Sequence, residues 1–340
     1  MKLSKRISSY IQISHILITT YKRAPIGIVF MLFFITATSC KYGRRKEYTF
    51  NRDGNPLVKH IFTADPSARI FKDRLYVYTS HDEDTATYFN MQNWHVISTD
   101  NLKKWKDHGP IFSLDAIEWA DKWAWAPDAV ERNGKYYFYF PVERSKIGVA
   151  VGESPTGPFI DILKKPLIDN TGKLEEIGPE PIDPGLLIHQ KQAYLYFGCR
   201  ELRVVKLKNN MMELDGDILN IEIKGTENDR EEDARGWYGE GPWVFERNEK
   251  FYLMYSNGWG RDCSLVYAIS DTPLGPFDFV GKVMYPVNSG TSHGSITEFQ
   301  GQWYIFYHNQ NLSDNGFRRS ICFDEINFDS NGYIIPIQSK

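Results

Sequence analysis

The chain is poor in cysteine, with four among 340 residues. None forms a Cys-x-x-Cys pair or a Cys/His spacing that would build a zinc site. Cys199, Cys263 and Cys322 each lie in or beside an apolar, strand-like run. They read as buried free thiols, with one disulfide as the alternative in an oxidising compartment. No apolar run reaches the roughly 20 residues that a membrane-spanning helix needs. Sustained 3.6-residue periodicity is missing, apart from one short helical turn expected within Leu114 to Lys122. Low-complexity sequence is missing as well, so nothing signals disorder. These absences exclude a zinc module, a helical bundle and a helical membrane domain.

Asp and Glu are absent from the first 46 residues, which hold nine Lys and Arg. The basic start leads into the apolar run Ile26 to Ile35 and the small residues Thr36 to Ser39, the pattern of an export signal. Ala37-Thr38-Ser39-Cys40 resembles a bacterial lipobox and would place a lipid on Cys40. Ordinary cleavage and retention as a signal anchor are the alternatives. The expected organisation is an export segment over 1–40, a linker over 41–55 and one folded domain over 56–338. Its expected location is the bacterial cell envelope (periplasm or outer-membrane lipoprotein) or the exterior, with the lipid as the only membrane contact. Beyond residue 46 there remain 31 of the 40 basic side chains against 43 acids, a net charge near −12. That balance argues against nucleic acid as a partner, since phosphate binding needs a basic face.

Aromatic residues, by contrast, make up 15% of the chain, which favours strands. The stretch WAWAPDAVERNGKYYFYF (Trp123 to Phe140) shows how they are used: a short strand, the turn Asn133-Gly134, then an aromatic strand. Four related stretches flank it. They are ADPSARIFKDRLYVYTSHD from Ala64, IDPGLLIHQKQAYLYFG from Ile182, GEGPWVFERNEKFYLMYSNGW from Gly239 and SHGSITEFQGQWYIFYHN from Ser292. The polar residues at their heads, Asp65, Asp128, Asp183, Glu240 and His293, recur at intervals of 63, 55, 57 and 53 residues. The loops SPTGPF and TPLGPF repeat at matching places. A repeat of this length suits a four-stranded propeller blade with its loops. The predicted fold is therefore all-β, a five-bladed β-propeller; strand counting alone would also fit a sandwich.

In a propeller the innermost strands line a central channel, so their heads converge. Four acids crowded on one axis raise at least one carboxyl pKa and keep it protonated near neutrality. One ionised and one protonated carboxyl is the pair that inverting glycoside hydrolysis requires: a base for water and an acid for the leaving oxygen. Trp125, three residues before Asp128, is the best candidate to stack on a sugar, and Trp119, Trp123, Trp237 and Trp259 either rim the pocket or pack between blades.

FTADPSARIF, WAWAPDAVERNGKYYFYF, GEGPWVFERNEKFYLMYSNGW and GTSHGSITEFQGQWYIFYHN, in that order, resemble glycoside hydrolase family 43 over nearly the whole propeller. The resemblance implies Asp65 as general base, Glu240 as general acid, and Asp128 as the residue that orients Glu240 and raises its pKa. It makes His293 the pore histidine, which can hold water or a calcium ion, and Arg319 an arginine that reaches sugar hydroxyls. Arg318 should face the other way, because strand side chains alternate. Asp183 is read as supporting, and the turn His189 to Gln192 departs from the acidic turn of relatives. No cofactor is required by this chemistry beyond such a pore calcium. The implied activity is an exo-acting inverting glycosidase that removes terminal β-D-xylosyl or α-L-arabinofuranosyl units from plant oligosaccharides or polysaccharides. The loops Ser80 to Trp94 and Glu222 to Glu240 are long enough to close one end of a cleft. An endo-arabinanase, a non-catalytic carbohydrate-binding lipoprotein and a retaining fructan-cleaving enzyme are the alternatives.

Overall fold

Tyr136 to Phe140 are five consecutive aromatics, a run that a strand with one wet face does not carry. In the computed structural model, which describes residues 45–172, 180–226 and 236–338, this strand has no wet face. Phe138 and Phe140 pack on Tyr78, Trp94 and Phe112 of the preceding sheet. Tyr137 and Tyr139, pointing the other way, pack on Leu195 and Val205 of the following one. The strand alternates between two cores, and both are hydrophobic.

Five such sheets form the blades. Their innermost strands are Phe62–Phe71, Asp128–Arg132, Gly185–His189, Glu240–Arg247 and Gly294–Phe299. Each pairs antiparallel with the next strand in sequence. Five separate hydrophobic clusters fill the five seams between blades, the last joining Val77 and Trp105 of the first blade to Phe306 and Phe323 of the fifth. The ring is closed by backbone: Leu57 N–H donates to the Ile321 carbonyl (2.7 Å) and Thr63 N–H to that of Arg319 (2.8 Å). The repeated loops are seam devices. Tyr78 Oη donates to the Pro155 carbonyl in SPTGPF and Tyr196 Oη to that of Pro273 in TPLGPF, each at 2.6 Å.

The stretch expected as a linker over 41–55 contributes structure. Tyr48–Asn51 forms the outermost strand of the first blade, antiparallel to Lys104–Ser113. The short helical turn is a 3₁₀ turn, Leu114–Ala116, and Cys199, Cys263 and Cys322 are buried free thiols. The export segment with Cys40 lies outside the described residues, as do 227–235 of the second long loop.

All five inner hairpins turn in two residues with positive φ: Lys72-Asp73, Asn133-Gly134, Gln190-Lys191, Asn248-Glu249 and Gln300-Gly301. Only the second is the Asn-Gly pair that announces such a turn; the twist of the paired strands imposes the same turn on the others.

The inner strands approach one another closely at the axis. A Cβ on Gly185 would stand 2.3 Å from the Pro242 carbonyl oxygen of the next blade. Because backbone cannot yield as a side chain can, Gly185→Ala is expected to lower stability by about 1–3 kcal/mol, read as a fall in thermal unfolding midpoint.

Candidate active site

The distance of each head residue from its turn sets its depth in the channel. Asp65, Asp183 and His293 all stand seven residues before the first residue of their turns, Lys72, Gln190 and Gln300. Asp65 (φ 53°) and Asp183 (φ 55°) are left-handed, and each precedes a proline. Gly241 (φ 69°) occupies that place in the fourth blade, putting Glu240 one residue earlier. The ladder is interrupted by bulges between Ala64 and Ser67 and between Glu240 and Trp243, which re-aim these side chains. Asp65, Asp183, Glu240, His293, Arg319 and Trp125 line one pocket of about 280 Å³.

Asp65 is buried and held from several sides. Ser80 Oγ donates to its Oδ2 (2.6 Å), and Arg319 donates through Nη1 to Oδ1 (2.9 Å) and through Nη2 to Oδ2 (3.3 Å). Its backbone N–H donates to His308 Nδ1 (3.1 Å), while His308 Nε2 faces the Thr291 carbonyl (3.0 Å), which places the imidazole proton on Nε2. Burial, with Arg319 nearby, depresses His308 to about 3, so it stays neutral. Burial would raise the Asp65 carboxyl, but Arg319 above all overrides it and holds it at about 2. Asp65 is a permanent carboxylate at neutral pH.

Glu240 is the opposite case. Burial is the main cause that pushes it up to about 7, and the Asp65 charge adds to this against a lowering hydrogen bond from Trp259 Nε1–H to Oε2 (2.7 Å). Asp183, buried beside it, is raised too, by burial first and then by the charges of Glu240 and Asp65. Asp183 Oδ2 accepts from Gly241 N–H (3.0 Å) and lies 3.6 Å from His293 Nδ1. Two carboxyls this close titrate as a pair, and the pair retains a proton into the neutral range.

Asp128 is elsewhere. It stands five residues before Asn133, two residues deeper on its strand than Asp65 is on its own, or roughly 7 Å down the channel. There it does not line the pocket and makes no contact with Glu240. Arg69 donates to both its oxygens (Nε to Oδ1, 2.8 Å), joined by Ser67 Oγ and by the N–H of Leu186 (2.7 Å). The expectation that Asp128 orients Glu240 is corrected: Asp183 is the carboxylate beside it. The head equivalent to Asp65 in the second blade is Ala126, which does line the pocket.

Arg319 also differs from expectation. All five of its N–H donors are engaged, by Asp65, by Asp82 (Nε to Oδ2 and Nη2 to Oδ1, both 2.9 Å) and by Thr291 Oγ1 (3.1 Å). It borders the pocket as the clamp on Asp65 rather than as a free donor to sugar. Arg318 turns away toward the Asp84 carbonyl (3.3 Å). Asp82, Ser80 and His308 were not singled out from sequence, although the first two close the YTSHD phrase two residues apart. Trp125 lines the pocket, with its Nε1–H on the Phe89 carbonyl (2.7 Å) and Trp123 stacked behind it (5.7 Å). Trp259 lines it as well, whereas Trp119 packs on Phe140 and Trp237 is exposed outside it. Among the described residues no group of three or more His, Cys, Asp or Glu is placed to hold a metal. His293 offers nitrogen where calcium prefers six to eight oxygens, so these side chains do not make a calcium site by themselves.

Removing the charge of Asp128 strands the guanidinium of Arg69, which is enclosed by Trp243 (4.1 Å). Asp128→Asn is expected to cost about 3 kcal/mol of stability in chemical denaturation, while the pH dependence of activity in the folded fraction stays in place.

A sequence profile of Glycosyl hydrolases family 43 matches residues 54–334. The chain is 34% identical over 333 residues to "Xylosidase/arabinosidase 43A" of Humicola insolens, covering 82% of this chain and 98% of that protein. The fold matches that of a GH43 beta-xylosidase/alpha-arabinofuranosidase from a compost microbial metagenome, solved with xylotriose in a calcium-free form (TM-score 0.75, 31% identity, 86% of this chain and 99% of that one). It also matches the GH43_1 enzyme from Xanthomonas citri complexed with xylose (TM-score 0.75, 34% identity, 85% and 94%). With its five blades, its pocket of opposed carboxyls and these likenesses, the chain belongs to glycosyl hydrolase family 43 and is a glycoside hydrolase.

Proposed function

We propose that the enzyme is an exo-acting, inverting glycosidase that removes terminal β-D-xylosyl or α-L-arabinofuranosyl units from plant oligosaccharides. The observation that carries this reading is the opposed protonation of Asp65 and Glu240 in one small pocket. Asp65 takes a proton from water as the water oxygen bonds to the anomeric carbon. Glu240 gives its proton to the glycosidic oxygen as that bond breaks, and bulk water restores both groups. Asp183 keeps the proton on the Glu240 pair until it is needed. Arg319 keeps Asp65 ionised and aimed. Tyr88 and Phe89, from the loop Ser80 to Trp94, wall one side of the pocket and favour single-unit release over internal cleavage. The substrate class is supported by the relatives, whose names join xylosidase and arabinosidase activities.

Aryl β-xylosides and α-L-arabinofuranosides test the reading directly. Asp65→Asn and Glu240→Gln are each expected to lower kcat/KM by about 10²–10⁴-fold, and unchanged activity in either would remove that residue from its role. The anomer released in the first turnover, followed by NMR, should be inverted; a retained anomer contradicts the mechanism. Linear arabinan should yield monosaccharide, and a product mixture of internal fragments would point to endo action instead.

The two pKa values also set the pH profile. Asp65 must be ionised and Glu240 protonated, so kcat/KM should be level through the acid range and fall as pH rises through about 7. Glu240 and Asp183 titrate together, the Glu240 charge helping to raise Asp183, so Asp183→Asn should displace the basic limb from its wild-type position; an unmoved limb would exclude the pairing. For the N-terminal segment we propose lipidation at Cys40 after export, and Cys40→Ser should abolish incorporation of labelled fatty acid into the expressed protein.

A further inference from the structure

Glu240 has two oxygens, and one is already spoken for. The indole N–H of Trp259 donates to Oε2 at 2.7 Å, and an oxygen that accepts such a bond is disfavoured as the site of the O–H. Trp259 is also unlike the tryptophans that fill the seams: Trp94 and Trp105 are fully buried, whereas Trp259 is 45% exposed and borders the pocket. The guanidinium of Arg200 lies 5.5 Å from its ring centroid, and Arg200 borders the pocket too. A glycosidic oxygen within reach of the Glu240 proton has its ring of origin in the pocket and its leaving sugar outside it. That sugar must pass the side chains that flank Glu240 at the rim.

We propose that Trp259 positions the acid and receives the leaving group: its N–H holds Glu240 Oε2 as an acceptor so that the transferable proton sits on Oε1, and its exposed face is the platform for the leaving sugar, with Arg200 donating to that sugar's hydroxyls. A pyranose or furanose presents a C–H face to an indole and hydroxyls at its edge, the two features this pair is built to meet. The inference rests on the reading of Glu240 as general acid. Glu240 is faced by Asp65 from the first blade, Asp183 and Glu180 from the third, Arg319 from the fifth, the Cys199 and Cys263 thiols and the Tyr238 hydroxyl. Trp259→Phe leaves every one of these groups in the chain, so a shift in pH dependence is read against loss of the indole N–H.

The experiment compares wild type, Trp259→Phe and Trp259→Ala on xylotriose, on a 4-nitrophenyl xyloside and on a 2,4-dinitrophenyl xyloside, whose departure needs little proton. Phenylalanine keeps a ring and loses the donor, so the basic limb of kcat/KM should move up by about 0.5–1 pH unit. Its kcat should fall about tenfold on xylotriose and much less on the dinitrophenyl glycoside. Alanine should add a rise in KM for xylotriose, while inhibition by free xylose, which occupies the pocket alone, stays within about twofold of wild type and reports an intact fold. Equal losses on all three substrates with an unmoved basic limb would overturn the proposal. A wild-type enzyme inactive on every glycoside would instead sink the underlying assignment of the acid, and this inference with it.

Discussion

Closing five sheets into a ring brings the starts of five strands onto one axis, and the rest of the site follows from that crowding. Four carboxyls, Asp65, Glu180, Asp183 and Glu240, share a pocket of about 280 Å³, and Glu180 is paired with Arg144. At such range like charges do not all ionise. Which of them gives way is decided by the cations and donors at hand, and these are distributed unevenly. The fifth blade sends Arg319 to Asp65. Among the described residues no arginine or lysine bonds to Glu240 or Asp183, which accept an indole N–H and a backbone N–H, with His293 3.6 Å from Asp183. One arginine therefore separates a permanent base from a proton-holding pair.

Arg319 is itself fixed by Asp82. That carboxylate takes the Nε and Nη2 edge of the guanidinium and the backbone N–H of the same residue (2.8 Å), leaving the remaining edge to face Asp65. Burial raises the Asp82 pKa, and Arg319 is what offsets it. The result is two buried carboxylates on one cation, so the cluster keeps a net negative charge at the wall of the pocket. That residual charge helps raise Glu240. The same contact that lowers one pKa thus leaves a field that raises another.

Much of this was legible in the chain. The five phrases, the propeller, the general positions of Asp65, Glu240 and His293, and the inward face of Arg319 all follow from repeats and strand alternation. The depth of each head residue was also written there, as the number of residues between it and its turn, but only one turn, Asn133-Gly134, carries a recognisable signal. With Lys72-Asp73 and Gln190-Lys191 unmarked, Asp128 and Asp183 look equivalent, and the count that separates them is hidden. The commitment of Arg319 to Asp82 lay beyond reach for another reason. It depends on which of five donors meets which acid across the ring closure, and that is a property of packing, not of spacing.

The displaced position of Asp128 creates a second polar layer deeper on the axis. Its level of the axis is occupied by Ser67, Gly185, Trp243 and Ser295, each four residues before the end of its strand. Arg69 crosses this level, bonded to Asp128, donating to the Leu186 carbonyl (2.7 Å) and lying on the Trp243 ring. Here acid and base neutralise one another, the guanidinium donating through Nε and Nη2 to both Asp128 oxygens and the Leu186 carbonyl. One turn of side chains above, the acids outnumber the cations and the balance is left open toward the solvent. The propeller thus carries two polar layers on one axis, a deeper one in which Arg69 and Asp128 compensate each other and an uncompensated one above it that holds a transferable proton.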